Sequence, residues 1–213
     1  MKEIWIVGED AVTKEVLRRL IKEYAPFLLI KREEPVRGGQ LKSMIKQFNR
    51  LSVFIPVILL GDLDAEYCAP LARIKLLDGA IQSDDFVINI AVDEAEAWLY
   101  ADIDGFSAYL QVPKEALPQA RLMMMNGPHA RMEIDTGQKT SRHLTTVLIQ
   151  QSRNSDLKKQ IESSDGCCKG KEYNPAIIPF IRDIWNPEVA RLSSYSLHTT
   201  IERIKRLNEK YRD

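Results

Sequence analysis

Cysteine is scarce in this chain: three in 213 residues, at Cys68 and the adjacent pair Cys167-Cys168. They make no C-x-x-C motif and no even framework, so neither a zinc ribbon nor a disulfide-stapled secreted scaffold is indicated. Net charge is lacking as well. Thirty Lys and Arg balance thirty Asp and Glu, which excludes a polybasic nucleic-acid binder of histone type. The longest apolar run, Val53 to Leu60, is far too short to span a bilayer and contains Pro56. The opening Met1-Lys2-Glu3-Ile4-Trp5 has no basic-then-apolar layout of a signal peptide. His129, His143 and His198 share no ligand spacing, and no G-x-G-x-x-G follows a strand, which excludes a Rossmann dinucleotide site. A cytoplasmic, reduced protein without a membrane partner is expected.

What is present is a charge pattern hidden by the zero. Residues 1–50 carry 11 basic against 7 acidic residues, net +4. Residues 51–120 carry 3 against 12, net −9, and residues 121–213 carry 16 against 11, net +5. An acidic middle flanked by basic ends suits a central cation site with positive charge around it, although solvated acidic loops give the same pattern.

Apolar periodicity sets the plan. Ile4 to Val7 is a short run that stops at Gly8-Glu9-Asp10, and Val12, Val16, Leu17, Leu20, Ile21 and Tyr24 then repeat at helical spacing, predicting a helix over 11–24 closed by Pro26. Phe27 to Ile30 reads as a second strand, Gly38-Gly39 as a turn and residues 40–50 as a basic helix. The strongest strand is the run ending at Leu60. Pro56 cannot donate to a ladder, so its central part starts at Val57 and ends at Gly61-Asp62-Leu63-Asp64. Residues 68–77 follow as a helix, and Phe86 to Val92 as a fourth strand ending at Asp93-Glu94-Ala95-Glu96.

Strand–helix alternation of this kind predicts a parallel α/β sheet with right-handed crossovers. From Trp98 on, helices are expected over Trp98 to Leu110, Thr140 to Ser152, Ala176 to Trp185 and Glu188 to Tyr211, with loops over 121–138 and 163–172. The fold class is therefore α/β: an open parallel sheet of about four strands over residues 1–102, followed by a helical annex over 103–213 packed on that core.

Acids fall at three strand ends: Glu9 after the first, Asp62 and Asp64 after the third, and Asp93, Glu94 and Glu96 after the fourth. Ligands of open parallel sheets bind beyond the carboxyl ends of the strands. Carboxylates crowded there repel until a divalent cation neutralises them. An all-oxygen donor set suits Mg²⁺ or Mn²⁺, one ion or two. In Asp62-Leu63-Asp64 both acids point to one face in a strict strand, with Leu63 turned back into the core.

A glutamate after strand one and D-x-D after strand three resemble the TOPRIM domain of topoisomerases, primases and overcoming-lysogenization-defect nucleases. Val57-Ile-Leu-Leu-Gly-Asp-Leu-Asp-Ala-Glu-Tyr-Cys-Ala-Pro70 and Ile90-Ala-Val-Asp-Glu-Ala-Glu-Ala-Trp-Leu-Tyr-Ala-Asp102 resemble a branch of small bacterial TOPRIM-like proteins encoded beside ABC- or AAA-type ATPases in anti-phage defence loci. Trp185-Asn-Pro-Glu-Val-Ala-Arg191 and Ser194-Tyr-Ser-Leu197 are similar to the same branch. Where that branch carries a glycine after the glutamate and an acid three positions on, this chain has Asp10 and Thr13.

The resemblance implies a metal-dependent endonuclease, with Glu9, Asp62 and Asp64 as the metal set and Glu94 and Glu96 as candidates for a second cation. Glu9 completes the coordination or acts as general base. Lys139, just before a helix start at Thr140 or Ser141, is the candidate cation for developing phosphate charge. The implied partners are a nucleic-acid substrate, DNA or RNA, and an ABC/AAA-type ATPase; self-association is left open. A topoisomerase lacks its strand-passage domain here and a primase its zinc module. A haloacid-dehalogenase phosphatase needs D-x-D on the first strand and Thr or Val where Glu66 stands. The rival from another class is a silent or restrained subunit docked on an ATPase. The closing cations Arg203, Lys205, Arg206, Lys210 and Arg212 surround more than one helix face, so phosphate contact and plain solvation are equally compatible with them.

Overall fold

The computed structural model describes all residues except 36–39, 64, 65, 67, 125–129, 164–168 and 213. The chain divides into two compact units, residues 1–92 with 198–213, and residues 93–197.

The first unit is built on β1 (Lys2–Gly8), α1 (Ala11–Tyr24), β2 (Leu28–Pro35), α2 (Gln40–Leu51), β3 (Val57–Asp62), α3 (Ala69–Leu77) and β4 (Phe86–Ala91). The four strands form one wholly parallel sheet in the order β2-β1-β3-β4, as the alternation predicts. Ile58, Leu59 and Leu60 are fully buried, as a central strand covered on both faces must be. Pro56 sits just before the strand and contributes its carbonyl, which accepts from the Trp5 amide. Right-handed crossovers put α1 on one face and α2 and α3, which touch each other, on the opposite one.

Strand β2 runs five residues beyond the expected Ile30, through Lys31-Arg-Glu-Glu-Pro35. An edge strand tolerates such charge, because it faces solvent and charged side chains discourage further pairing. Here Lys31 pairs with Glu3, and Arg18 of α1 reaches Glu33. The turn expected at Gly38-Gly39 lies outside the described residues.

The second unit holds α4 (Ala95–Tyr100), α5 (Ile103–Leu110), a hairpin of β5 (Ala120–Met124) and β6 (Ala130–Ile134), then α6 (Thr140–His143), α7 (Ser155–Ile161), α8 (Tyr173–Pro179) and α9 (Pro187–Ala190). Its core is aromatic: Trp98, Tyr100, Phe106, Tyr173, Phe180 and Trp185 are fully buried, with Phe106 and Phe180 4.9 Å apart. The last helix, α10 (Tyr195–Lys210), starts in this unit, and its residues from His198 on belong to the first.

Several expectations here need correction. The loop expected over 121–138 contains the antiparallel hairpin, whose residues Leu122 and Met132 face each other in register and are both exposed. Five-residue strands reading Ala-Arg-Leu-Met-Met and Ala-Arg-Met-Glu-Ile carry no period-two signal. The helix expected over Trp98 to Leu110 breaks at Asp102, whose carboxylate accepts from the Gly105 amide and so caps α5. The helix over Thr140 to Ser152 widens into a π turn at Leu144–Leu148 and tightens at Ile149–Gln151. The one over Ala176 to Trp185 begins at Tyr173 and passes into a π turn after Pro179, which has no amide proton to donate. Glu188 to Tyr211 is two helices: Asn186 with Pro187 starts α9, and the Ser194 hydroxyl accepts from the Leu197 amide at the start of α10.

Candidate functional site

Strand order fixes where a ligand is expected in the first unit. The chain passes from β1 outward to β2, then returns to the other side of β1 to make β3 and β4. The reversal leaves a crevice between the carboxyl ends of β1 and β3, the topological switch point of open α/β sheets. Glu9 follows β1 directly and Asp62 is the last residue of β3.

Both acids are half-buried, and the Glu9 carboxylate lies across the crevice, its Oε1 3.4 Å from the Asp62 amide. Glycine makes this approach possible. A Cβ on Gly61 would lie 2.9 Å from Glu9 Oε1 and 3.3 Å from Leu41, and one on Gly8 would lie 2.7 Å from Thr13 Oγ1. Leu63 is buried, as the D-x-D reading requires, and its amide extends the ladder to the Ala91 carbonyl. Asp64 lies outside the described residues.

The departure at Asp10 and Thr13 has a local explanation. The Asp10 carboxylate accepts from the Thr13 amide at 2.8 Å, and the Thr13 hydroxyl accepts from the Asp10 amide at 3.0 Å. This reciprocal pair caps α1, so the helix whose N-terminus borders the crevice is held without a second acid at position 13.

The acids after β4 belong to the second unit, where protein donors hold them. Asp93 adopts a left-handed backbone (φ 63°) and accepts from both the amide and the hydroxyl of Thr140. Burial pushes its carboxyl upward, the Thr140 hydroxyl opposes this, and neighbouring Glu94 adds to the rise. Glu94 Oε2 accepts from the Ser141 amide at 2.7 Å, and its Oε1 is 3.6 Å from Lys139 Nζ. Together Asp93 and Glu94 satisfy the first amides of α6. Glu96 is 1% exposed and accepts from the Tyr173 hydroxyl at 2.9 Å, with Lys169 Nζ at 2.5 Å. The structure thus brings Glu9 to Asp62 and Lys139 to Glu94. Among the described residues, no three carboxylate, imidazole or thiol groups are grouped closely enough to hold a metal ion by themselves.

Sequence reasoning missed Lys169 and Tyr173 as partners of Glu96, because more than seventy positions separate them and no periodicity links them. It also missed Glu133 of β6, which is 2% exposed and accepts from the Ser196 amide at 2.6 Å and from the hydroxyls of Ser194 and Ser196 at 2.8 and 3.0 Å. Burial outweighs these donors and lifts its carboxyl to about 7. The Ser194-Tyr-Ser-Leu197 segment was the available signal. His143 is the last residue of α6 and is half-buried, its Nδ1 is 3.0 Å from the Tyr100 hydroxyl, and burial lowers its pKa.

Residues 7–160 match the model of a family described as a domain of unknown function, DUF4276. No curated protein matches the chain. Among solved structures, it is similar to the C-terminal region of the Burkholderia pseudomallei OLD protein, at 11% identity and a TM-score of 0.43 over 96% of this chain and 97% of that one. No helix among the described residues is long and apolar enough to cross a membrane.

Proposed function

The chain belongs to the DUF4276 family, and we propose that it is a Mg²⁺-dependent nucleic-acid phosphodiesterase, an endonuclease acting as effector of a bacterial anti-phage defence system. The observation that carries the reading is the meeting of Glu9 and Asp62 at the switch point, with one carboxylate oxygen 3.4 Å from the opposite strand's terminal amide. The sequence adds Asp64 two positions on, and the motif resemblance of residues 1–102 to TOPRIM nucleases supplies the substrate class.

The donor set fits a hard divalent cation. It offers carboxylate oxygens without imidazole or thiolate, and the space a Cβ at position 61 would fill is left to Glu9. Glu9, Asp62 and Asp64 would hold the ion, which when bound polarises a phosphoryl oxygen and lowers the pKa of water beside it. Glu9 would either complete that coordination or act as the general base that takes a proton from the attacking water. The N-terminus of α1 at the crevice offers amide dipoles to a phosphate. Lys139 is the proposed counter-charge for the phosphate. Glu94 and Glu96 would serve a second ion only by exchanging the protein donors that hold them. An ABC- or AAA-type ATPase is the proposed partner, resting on the motif resemblance alone.

Calorimetric titration of Mn²⁺ into wild type and the Asp62→Asn/Asp64→Asn double variant tests the site without a known substrate. Saturable binding lost in the variant supports it. Absence of binding in folded wild type overturns it and leaves the interaction subunit. Cleavage assays on DNA and RNA, with and without the ATPase, then separate an active enzyme from a restrained one.

A further inference from the structure

The first unit contains a second feature at the opposite end of its edge strand. A cavity of about 480 Å³ opens beside the start of β4, lined by Phe86, Val87 and Ile88 of that strand and by Leu207 of α10, with cations from two helices around them. Arg73 comes from α3, and Arg203, Arg206 and Lys210 come from α10. On α10 their spacing of three and four residues puts them on one face, so the closing cations of the sequence do not all solvate alike. Lys205 instead pairs with Glu202 and lies over the Tyr24 ring, and Arg212 pairs with Glu209.

Charge in the cavity is unbalanced. Four cations face one lining acid, Asp84, and neighbouring Asp85 engages Lys210 at 2.7 Å. Arg73 is half-buried, and neither it nor Arg206 has an ion pair or hydrogen bond among the described residues. Desolvation lowers the Arg73 pKa, the cost of removing water from a guanidinium without a carboxylate beside it. Guanidinium forks match phosphate oxygens in bidentate geometry, and this volume is that of a small-molecule site with an apolar floor.

We propose that this cavity binds a small organic phosphate of mononucleotide size, its phosphate on Arg73 and Arg206 and its apolar part against β4 and Leu207. A concave site with convergent cations favours a compact ligand over a strand laid along the surface. The site is independent of the Glu9–Asp62 crevice, since it lies at the amino end of β4 whereas Asp62 pairs with Ala91 at the other.

The test is calorimetry of the full chain with adenosine monophosphate, adenosine, inorganic phosphate and a single-stranded oligonucleotide. Adenosine monophosphate is expected to bind saturably, adenosine not at all. Arg206→Glu and Arg73→Gln are each expected to weaken binding at least about tenfold, the loss of one charge-assisted contact. Asp62→Asn is expected to leave it unchanged, which separates this site from the proposed nuclease centre. Arg206 is exposed, so its variant keeps the test decisive should Arg73→Gln fail to fold. No saturable binding at millimolar nucleotide overturns the proposal, as does binding indifferent to Arg206→Glu. Inorganic phosphate binding as tightly as the nucleotide reduces the site to a bare anion hole. Binding of the oligonucleotide alone replaces the compact ligand with an extended strand.

Discussion

Two sets of acids lie in or just after strands in this molecule, and their surroundings differ. Glu9 and Asp62 of the first unit are half-buried at a strand-end crevice, with backbone amides and glycines around them. Asp93, Glu94, Glu96 and Glu133 of the second unit have hydroxyl, ammonium and amide donors on them, and Glu94, Glu96 and Glu133 are buried. A buried carboxylate is stable only when such donors replace its water. One placed at the carboxyl edge of a parallel sheet is positioned for an incoming ligand. The same residue type therefore sits among hydroxyl, ammonium and amide donors in one unit and half-buried at a strand-end crevice in the other.

The largest effect that would break this comparison is on activity. Asp62→Asn is expected to lower nucleic-acid cleavage by about 10²–10³-fold, the scale of losing one electrostatic contact to a transition state, with urea unfolding unchanged within about 0.5 kcal/mol. A stability loss as large as that of a buried acid would put Asp62 among the structural set.

Glu96→Ala is expected to behave in the reverse way. It strands the Tyr173 hydroxyl and the partly buried Lys169 ammonium, at a cost of about 2–3 kcal/mol in denaturant unfolding. Retained stability with lost Mn²⁺ binding would instead make Glu96 a ligand.

Glu133 sharpens the contrast through pH. Its folded pKa of about 7 lies above the ordinary glutamate value, so the folded chain holds a proton that the unfolded chain releases. The stability this confers is fully present below the unfolded pKa and is lost as pH rises through about 7, by up to roughly 3 kcal/mol. Glu133→Gln keeps a neutral group there and is expected to flatten the fall in unfolding free energy over that window. An unaltered pH profile would assign the dependence elsewhere.

Gly61→Ala is the mildest. The new methyl meets the end of a flexible side chain, Glu9 Oε1, so a stability change of about 1 kcal/mol or less is expected. The displaced Glu9 is expected to weaken Mn²⁺ binding all the same; unchanged affinity would remove Glu9 from the site.

The local pattern of the chain determined the first unit almost by itself. Ile58 to Leu60 had to be a doubly covered strand, the Val12 to Tyr24 stripe a helix, and Pro56 the boundary before Val57, because each depends on neighbours within a few positions. The alternation they form then implies a parallel sheet with acids at its carboxyl edge. Tertiary structure decided what depends on distant partners. It paired Ala120–Met124 with Ala130–Ile134, joined Asn208 of α10 to Phe27 just before β2, 181 positions earlier, and set Lys169 and Tyr173 on Glu96. Carboxylates of identical chemistry cannot be told apart by position in a sequence, since desolvation and donor supply separate them, and both are properties of the folded surroundings.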